Sequence, residues 1–212
     1  MTPSTATIFI VDDDVSFLTA TARFLRASGF VAKSFGSAAE FLASPELDVP
    51  GCVLVDLQMP GVGGLGLQEA LSKAGHRMPV IFLSGHGDIP TTVQAMRRGA
   101  EDFLTKRVPK EELIETVKRA LDRDAHDRAK RTLVQGLRAR FERLTERECE
   151  VLQHVLRGQL NKQIAGDLGI DERSVKRHRT RIMAKLQVRS VAELTHLVHD
   201  AGLVSVIDRV RD

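Results

Sequence analysis

The feature that most constrains the fold of this chain is a regular alternation of short apolar runs with amphipathic segments over residues 7–121. The apolar runs, rich in β-branched residues, are candidate strands at 7–11, 31–35, 52–55, 80–83 and 102–105. The amphipathic segments that follow them are candidate helices at 15–28, 37–43, 64–74, 89–98 and 110–121. This alternation predicts a doubly wound parallel sheet with helices on both faces. In such sheets, sites form outside the carboxyl ends of the strands.

The chain after residue 144 predicts an all-helical region. Four helices are expected at about 146–157, 162–168, 172–186 and 191–200. Thr145 with Glu148 forms a capping box at the first of them. Asn161 and Asp171 are typical N-cap residues for the next two. Those two helices, joined by the turn at 169–171, have helix-turn-helix proportions.

Residues 110–143 have a helical pattern almost throughout, with Gly136 as a breaker. As one helix, this segment would be about 50 Å long at ~1.5 Å per residue. Its larger apolar residues gather at the two ends: Leu113, Ile114, Val117 and Leu121, then Leu133, Leu137 and Phe141. We therefore expect each end to pack on its own domain or on a partner, with a solvated connector between. A short coiled-coil contact is an alternative for this segment, but the sequence has no sustained heptad repeat.

Composition is that of an ordinary globular protein: of 212 residues, 42% are hydrophobic and 28% are charged. No apolar stretch approaches the ~20 residues that cross a bilayer, and the first residues lack the pattern of a signal peptide. Cys52 and Cys149 lie far apart inside apolar patterns, so no disulfide framework is expected. These features predict a cytoplasmic protein with no membrane segment.

Basic charge is concentrated in one short segment of the chain. Residues 1–106 carry 8 Lys/Arg against 11 Asp/Glu, whereas residues 173–189 carry seven basic residues and no acid. A merely solvated helix face would usually mix both signs. A one-sided basic segment is typical of contact with nucleic acid. The chain has no Trp or Tyr for stacking on single strands, so double-stranded DNA is favoured.

Carboxylates follow two of the candidate strands. Asp12, Asp13 and Asp14 come directly after the first strand, and Asp56 ends the third. These strands are neighbours in a doubly wound sheet, so the carboxylates should converge. Two like charges ~4 Å apart repel by about 4 kcal/mol at an effective dielectric near 20. The cluster therefore needs a positive partner, which can be Lys106 or a divalent cation, and oxygen-only ligands suit Mg²⁺. Asp14 is expected only to cap the first helix.

Four motifs at these strand ends are FIVDDD, VLVDLQMPG, FLSGHGD and DFLTK. Together they resemble the receiver domain of two-component response regulators over about residues 7–121. The resemblance implies a CheY-like fold with strand order 2-1-3-4-5, and a phosphoryl group accepted by Asp56 from a sensor histidine kinase. It implies Mg²⁺ ligands from Asp12, Asp13, Asp56 and the backbone carbonyl of Gln58. It further implies phosphoryl contacts from Ser84 and Lys106, and a switch formed by Ser84 with Phe103.

One position departs from the family pattern. Family members usually have Lys-Pro after the fifth strand, often with a cis bond, whereas here Lys106 is followed by Arg107. A cis bond before Arg107 would be costly, so we expect a rebuilt loop at this point. Ser84 and Phe103 are accepted variants of the more usual Thr and Tyr.

The segment LTERECEVLQHVLRGQLNKQIAGDLGIDERSVKRHRTRIMAKLQVRS resembles the LuxR-type helix-turn-helix of the NarL/FixJ response regulators over about residues 144–199. The resemblance implies that helix 172–186 enters the DNA major groove. On helical spacing, Val175, Ile182 and Leu186 should be core. Recognition helices read bases mainly with their first turns, so the candidate base readers are Arg173, Lys176 and Arg177. The remaining candidate DNA contacts are Thr180 on the outer face, and Lys162, Arg179, Arg181 and Lys185 at phosphates.

These patterns predict a phosphorylation-activated transcriptional regulator. Its parts are a receiver domain at 1–121, a helical linker at 122–143 and a LuxR-type helix-turn-helix domain at 144–212. Expected partners are a sensor histidine kinase, double-stranded DNA and, on phosphorylation, a second copy of the chain that meets the first through helix 89–98 and the fifth helix. RNA polymerase is a further candidate partner, and no enzymatic turnover is expected.

Two other functions remain open from the residues alone. One is a Mg²⁺-dependent aspartyl-phosphate phosphatase or mutase of the haloacid dehalogenase type. Those enzymes place a second Asp two residues after the nucleophile, where this chain has Gln58. The other is a DNA-binding protein whose receiver is not switched by phosphate because the Lys106–Arg107 loop is altered.

Overall fold

The computed structural model of the protein describes residues 6–85 and 89–200, with side chains up to residue 198. The predicted C-terminal domain therefore extends, at 201–212, outside the described residues. The chain divides into two compact units between Arg128 and Ala129. The first contains a parallel sheet flanked by helices, and the elements described in the second are helices joined by short turns.

The sheet of the first unit has the predicted topology. Its strands are β1 Thr7–Val11, β2 Val31–Phe35, β3 Gly51–Asp56, β4 Val80–Ser84 and β5 Asp102–Thr105. They pair in parallel in the order β2-β1-β3-β4-β5, which confirms the doubly wound arrangement. Strand β3 ends at Asp56 as expected, and β4 runs one residue further than expected and includes Ser84. Both site residues therefore have strand geometry rather than loop geometry.

Burial on both faces explains why the central strands do not alternate between apolar and polar residues. Every residue of β1, β3 and β4 is buried, because helices cover both faces of the sheet. The helices of the first unit are α1 Val15–Ala27, α2 Ala38–Leu42, α3 Gly64–Lys73, α4 Ile89–Arg97 and the first part of α5 Lys110–Phe141. Residues of α1 and α5, such as Leu25 and Val117, pack on one face. Residues of α2 and α3, such as Phe41 and Leu67, pack on the other.

Two glycines permit close backbone approaches at opposite ends of β3. A Cβ at Gly51 would lie 2.0 Å from the carbonyl oxygen of Thr7, and one at Gly64 would lie 2.5 Å from that of Asp56. Gly64 begins α3, and its N–H donates to the Leu57 carbonyl at 3.1 Å. The absence of a side chain here lets α3 begin directly against the carboxyl end of β3. The strand end that presents Asp56 is thereby fixed.

Helix α5 is one element of 32 residues that runs through Gly136, which resolves the continuity that the sequence pattern over 110–143 left open. A buried carboxylate, Asp124, connects α5 to Gly51, the first residue of β3. Its Oδ2 accepts hydrogen bonds from the Gly51 N–H at 2.9 Å and from Arg128 Nε at 2.7 Å. Arg128 also donates to the carbonyl oxygens of Asp48 at 2.6 Å and Val49 at 2.7 Å. The Asp124–Arg128 clamp therefore ties this part of α5 to the amino end of a central strand.

The second unit is built around one apolar core. Its helices are α6 Glu146–Leu156, α7 Asn161–Leu168, α8 Glu172–Leu186 and α9 Val191–Asp200. The end of α5 contributes Leu137 and Phe141 to the core, and α8 contributes the three predicted residues Val175, Ile182 and Leu186. The last turns of α5 are thus an integral part of this unit.

The N-caps of the second unit follow the sequence pattern with one exception. The Thr145–Glu148 capping box is present, and Asp171 caps α8 by accepting a hydrogen bond from the Ser174 N–H at 2.8 Å. The prediction that Asn161 caps α7 was wrong, since Leu160 holds the cap position. The Gln163 side chain accepts from the Leu160 N–H at 2.8 Å. This leaves the Asn161 side chain, in the first helical turn, to accept a hydrogen bond from Arg179.

Across the described parts of the chain, no helix combines the length and the apolar character needed to span a membrane.

Candidate functional site

The carboxylates predicted to converge do so at the carboxyl edge of the sheet. Strands β1 and β3 pair with Val11 opposite Val55, which places Asp12 beside Asp56. Asp12, Asp13 and Asp56 each offer one carboxylate oxygen, and these three oxygens lie within 4.8 Å of one another. Asp12 and Asp56 are buried, while Asp13 is exposed. Asp14 instead caps α1, accepting hydrogen bonds from the Ser16 and Phe17 N–H groups, as predicted.

Lys106 is the positive partner of this cluster. Its Nζ lies 2.7 Å from Asp12 Oδ2 and 2.9 Å from Asp56 Oδ2. Burial raises the pKa of Asp12 above its ordinary value, although the nearby ammonium acts in the opposite direction. Burial alone would lower the pKa of Lys106, but its bonds to Asp12 and Asp56 outweigh this and the pKa is raised. The lysine is therefore firmly charged, and it offsets the repulsion between the two carboxylates.

The other predicted site residues lie around the same edge. Ser84 ends β4, pairs with Thr105 of β5 and is buried. The Lys106 N–H donates to the Ser84 carbonyl at 2.8 Å, which joins these two strand ends. Gln58 is exposed, and its N–H donates to Asp56 Oδ1 at 3.3 Å. Phe103 is partly buried, with its ring stacked at 6.3 Å on that of Phe82. Asp56, Ser84 and Lys106 are thus assembled from three adjacent strand ends.

One neighbour of the acidic cluster was missed from the sequence. The ring of Phe17 on α1 lies 4.7 Å from Lys106 Nζ, measured to the ring centroid. Phe17 and Phe24 lie seven residues apart on α1, a spacing that places apolar residues on one face of a helix. Their contacts with lysines depend on how α1 packs beside the β5–α5 connection. No pattern local to either segment reveals that packing.

On the second unit, α8 displays its basic side chains outward. The side chains of Arg173, Lys176, Arg177 and Arg181 are exposed and have no ion pair or hydrogen-bond partner among residues 6–85 and 89–200. Lys162, in the first turn of α7, is also exposed. Thr180 is exposed, and its hydroxyl donates to the Lys176 carbonyl at 3.1 Å. These side chains are available to a ligand with regularly spaced negative charges.

Two predicted phosphate contacts have partners inside the unit. Arg179 Nη1 donates to Asn161 Oδ1 at 2.8 Å and so links α8 to the start of α7. Lys185 Nζ lies 2.6 Å from Glu148 Oε2 and donates to the Arg143 carbonyl at 3.0 Å. Burial would raise the pKa of Glu148, but its bonds to Lys185 and Thr145 outweigh this and lower it. Lys185 is thus committed to neutralising a buried carboxylate.

Comparison with known families supports a two-part protein. The family of the response regulator receiver domain matches residues 8–118. The family of bacterial regulatory proteins, luxR family, matches residues 142–198. The chain belongs to the response regulators of two-component systems. Within them it is a transcriptional regulator of the NarL/FixJ family, with a receiver domain followed by a LuxR-type DNA-binding domain.

Relatives of this response regulator match over nearly its whole length. It is 39% identical over 198 residues to Nodulation protein W of Bradyrhizobium diazoefficiens, covering 93% of this chain and 87% of the relative. It is 39% identical over 212 residues to Response regulator protein TodT of Pseudomonas putida, covering 100% of this chain and 89% of the relative. The solved response regulator StyR is 43% identical with a TM-score of 0.85, over 92% of this chain and 98% of that one. A receiver domain implies a histidine kinase as phosphodonor, and a LuxR-type domain implies DNA binding.

Proposed function

We propose that this response regulator accepts a phosphoryl group on Asp56, and that the phosphorylated form binds double-stranded DNA as a homodimer. The observation that carries the proposal is the environment of the Asp56 carboxylate. It stands at the carboxyl end of β3, with the Lys106 ammonium 2.9 Å away and the carboxylates of Asp12 and Asp13 beside it. A carboxylate in such surroundings can act as a nucleophile toward phosphorus.

In the proposed reaction, an oxygen of Asp56 forms a bond to the phosphorus of the kinase phosphohistidine. The phosphorus–nitrogen bond breaks, and its electron pair stays on the departing imidazole. Ser84 and Lys106 donate hydrogen bonds to the phosphoryl oxygens, where negative charge concentrates. For this, Lys106 exchanges a contact with the Asp56 carboxylate for one with the new phosphoryl group. Its second contact, to Asp12, keeps the ammonium at the site.

The acidic cluster fits Mg²⁺. Its donor set consists of the three carboxylates Asp12, Asp13 and Asp56, joined in our proposal by the backbone carbonyl of Gln58. Hard oxygen ligands with one exposed side suit a cation that keeps part of its water shell, and Asp13 is on that side. Bound Mg²⁺ would neutralise charge on the transferring group. The two buried carboxylates would serve as rigid ligands and the exposed one as an adjustable ligand.

For the switch and the dimer we propose Phe103 and the outer face of α4. Phe103 is partly buried beside Phe82 and can turn further inward when Ser84 engages the phosphoryl group. On α4, Ile89, Val93 and Met96 follow helical spacing and are exposed by 77%, 43% and 44%. Large apolar side chains at successive turns of one face are typical of contact surfaces. This stripe supports a dimer formed through α4 and α5.

For DNA we propose that the first turns of α8 read bases through Arg173, Lys176 and Arg177, because recognition helices use this part. Lys162, Thr180 and Arg181 would contact the sugar-phosphate backbone. Arg179 would join them while it holds Asn161. Lys185 takes a structural role in this proposal, because its ammonium is held by Glu148. A dimer presents two such helices to half-sites about one helical turn apart.

We assign residues 1–121 to the receiver, 122–143 to a helical linker and 144–212 to the DNA-binding domain. The protein would act in the cytoplasm and contact RNA polymerase to alter transcription. It would catalyse no turnover of its own, since Gln58, two residues after Asp56, is an amide that cannot serve as a general acid or base.

The proposal is tested by light scattering and intact mass on one set of samples. Wild type and Asp56→Asn are compared with Mg²⁺, with and without acetyl phosphate as donor. We expect wild type alone to gain one phosphoryl group and to shift from monomer to dimer. Binding to a DNA pool selected from random sequence should tighten in parallel.

Two results would contradict the proposal in different ways. Equal phosphoryl uptake by the Asp56→Asn variant would remove Asp56 from its role. Uptake by wild type with no change in assembly or DNA affinity would retain the chemistry and reject dimerisation as the output. Turnover of small phosphoesters by wild type would instead favour an aspartyl-phosphate enzyme.

A further inference from the structure

Lys106, directly after β5, and Lys110, the first residue of α5, each lie over a ring of α1. Lys106 Nζ lies 4.7 Å from the Phe17 ring centroid, and Lys110 Nζ lies 5.4 Å from that of Phe24. Both distances fall within the roughly 6 Å over which an ammonium is attracted to a ring face. The rings are seven residues apart, two turns along one face of α1. The connection is thus attached to this helix at both of its ends.

The middle of the connection is held by apolar packing. Val108 is partly buried against the core shared by α1 and α5, and its N–H donates to the Thr105 carbonyl at 3.0 Å. The rings, the lysine stems and Val108 line one groove of about 200 Å³. Arg107, by contrast, is exposed. Ring contacts and one apolar anchor therefore fix a loop that lacks a proline after Lys106.

The ring of Phe17 differs in kind from the other two partners of Lys106. Asp12 and Asp56 are hydrogen-bond acceptors that draw the ammonium toward oxygens. A phenyl face attracts the cation without accepting a conventional hydrogen bond and without titrating. It therefore confines a long, flexible side chain, which otherwise has several rotamers, and leaves its donors for oxygens. Such confinement raises the fraction of molecules with the ammonium in place for reaction.

We propose that Phe17 is a positioning residue for phosphoryl transfer, holding the Lys106 ammonium over its ring at the mouth of β3. The Phe24–Lys110 contact attaches the far end of the same loop and does not reach the acidic cluster. This inference rests on the proposed roles of Asp56 and Lys106.

A matched pair of substitutions separates positioning from packing. Phe17 and Phe24 are both partly buried on α1 and pack on the same core. Phe17→Leu and Phe24→Leu remove equivalent rings, but only the first removes a ring from the reacting region. Phe17→Tyr keeps a ring face, and Phe17→Met keeps bulk without one. The full-length chain is used throughout, with Mg²⁺ and acetyl phosphate, and uptake is followed by intact mass.

We expect Phe17→Leu and Phe17→Met to slow uptake about fivefold, the factor that corresponds to a cation–π contact of ~1 kcal/mol. Phe24→Leu and Phe17→Tyr should stay within about twofold of wild type. In a Lys106→Met background, Phe17→Leu should cause no further loss, because the interaction is already absent. Thermal unfolding of each variant verifies that it is folded at the assay temperature.

Equal slowing by Phe17→Leu and Phe24→Leu would overturn the inference and make Phe17 a packing residue. So would a fivefold loss from Phe17→Leu that persists in the Lys106→Met background. Failure of folded wild type to take up phosphate is a different outcome. It would reject the role of Asp56 and this inference with it.

Discussion

The two functional surfaces of this response regulator treat positive charge in opposite ways. At the acidic edge of the receiver, the Lys106 side chain is 20% exposed and contacts two carboxylates and a ring. On α8, Arg173, Lys176 and Arg177 are exposed, and in the described part of the chain their side chains have no ionic partner. The Lys106 ammonium already has carboxylate partners without a ligand. The exposed basic side chains of α8 remain available to pair with a ligand.

The difference follows from what each surface must do. A site for phosphoryl transfer gains rate when its charges are already placed, because nothing then reorganises during the reaction. A DNA surface gains affinity when its cations displace the counterions of the phosphate backbone, and an internal ion pair would reduce that gain. The contrast between paired and unpaired cations thus distinguishes the two activities within one chain.

The largest effect is expected from removing Lys106, the cation that is paired with carboxylates. Lys106→Met should lower the rate of phosphoryl uptake from acetyl phosphate by about 10²–10³-fold, as loss of one preorganised donor does elsewhere. Intact mass against time measures the rate. Lys110→Met, four residues further on at the start of α5, is the control and should stay within about twofold. A loss below about tenfold for Lys106→Met would show that the paired lysine is not part of the reacting site.

The contrast also predicts that Lys185 belongs with the paired cations, although it lies on α8. Lys185→Met should lower the unfolding free energy by about 2 kcal/mol, because Glu148 would remain buried without its ammonium partner. Urea unfolding measures this change. The double variant with Glu148→Gln should regain part of the loss. If Lys185→Met leaves the unfolding free energy unchanged but weakens DNA binding, Lys185 is a phosphate contact and not a structural residue.

Among the unpaired cations, base readers and phosphate contacts should behave differently. Arg177→Ala should cost about 1–3 kcal/mol on the preferred sequence and relax the choice of base at one position. Lys162→Ala should weaken binding to all sequences alike and reduce the salt slope by about one unit. Titrations of selected and random DNA at several salt concentrations distinguish the two. Identical behaviour of both variants would contradict the division.

The smallest effect expected is a pH dependence from Glu148. Its pKa is lowered from an ordinary value of 4.5, so the folded state holds the proton less tightly than the unfolded state does. The stabilisation is complete above the ordinary value and is lost as the pH falls through the lowered one. Urea midpoints between pH 6 and pH 3 should therefore fall less steeply for Glu148→Gln than for wild type. Parallel curves would show that Glu148 does not contribute.

Much of the fold and the acidic site could be predicted because their signals are local. Buried strands appear as short apolar runs, and the parallel order brings Asp12 beside Asp56 once the runs are recognised. The partners of Lys185 and Asp124 could not be predicted in the same way. Glu148 lies 37 residues from Lys185, and Gly51 lies 73 residues from Asp124. Such pairs depend on how whole helices pack.

The cap of α7 shows a different limit. Asn161 has a good side chain for an N-cap, but Leu160 takes that position. The Gln163 side chain satisfies the Leu160 N–H, and the Asn161 oxygen accepts from Arg179, 18 residues along the chain. A local preference was overridden by a contact between two helices. Cap propensity alone could not anticipate it.

The Asp124–Arg128 clamp determines where this chain can be cut. A receiver fragment that ends at residue 121 would lack both side chains and leave the Gly51 N–H without its acceptor. It would also deprive the Asp48 and Val49 carbonyls of their guanidinium donor. A fragment that ends just after Arg128 would keep every one of these bonds. A receiver that is isolated with these seven further residues of helix keeps the hydrogen bonds at the amino end of β3, and one without them loses those bonds.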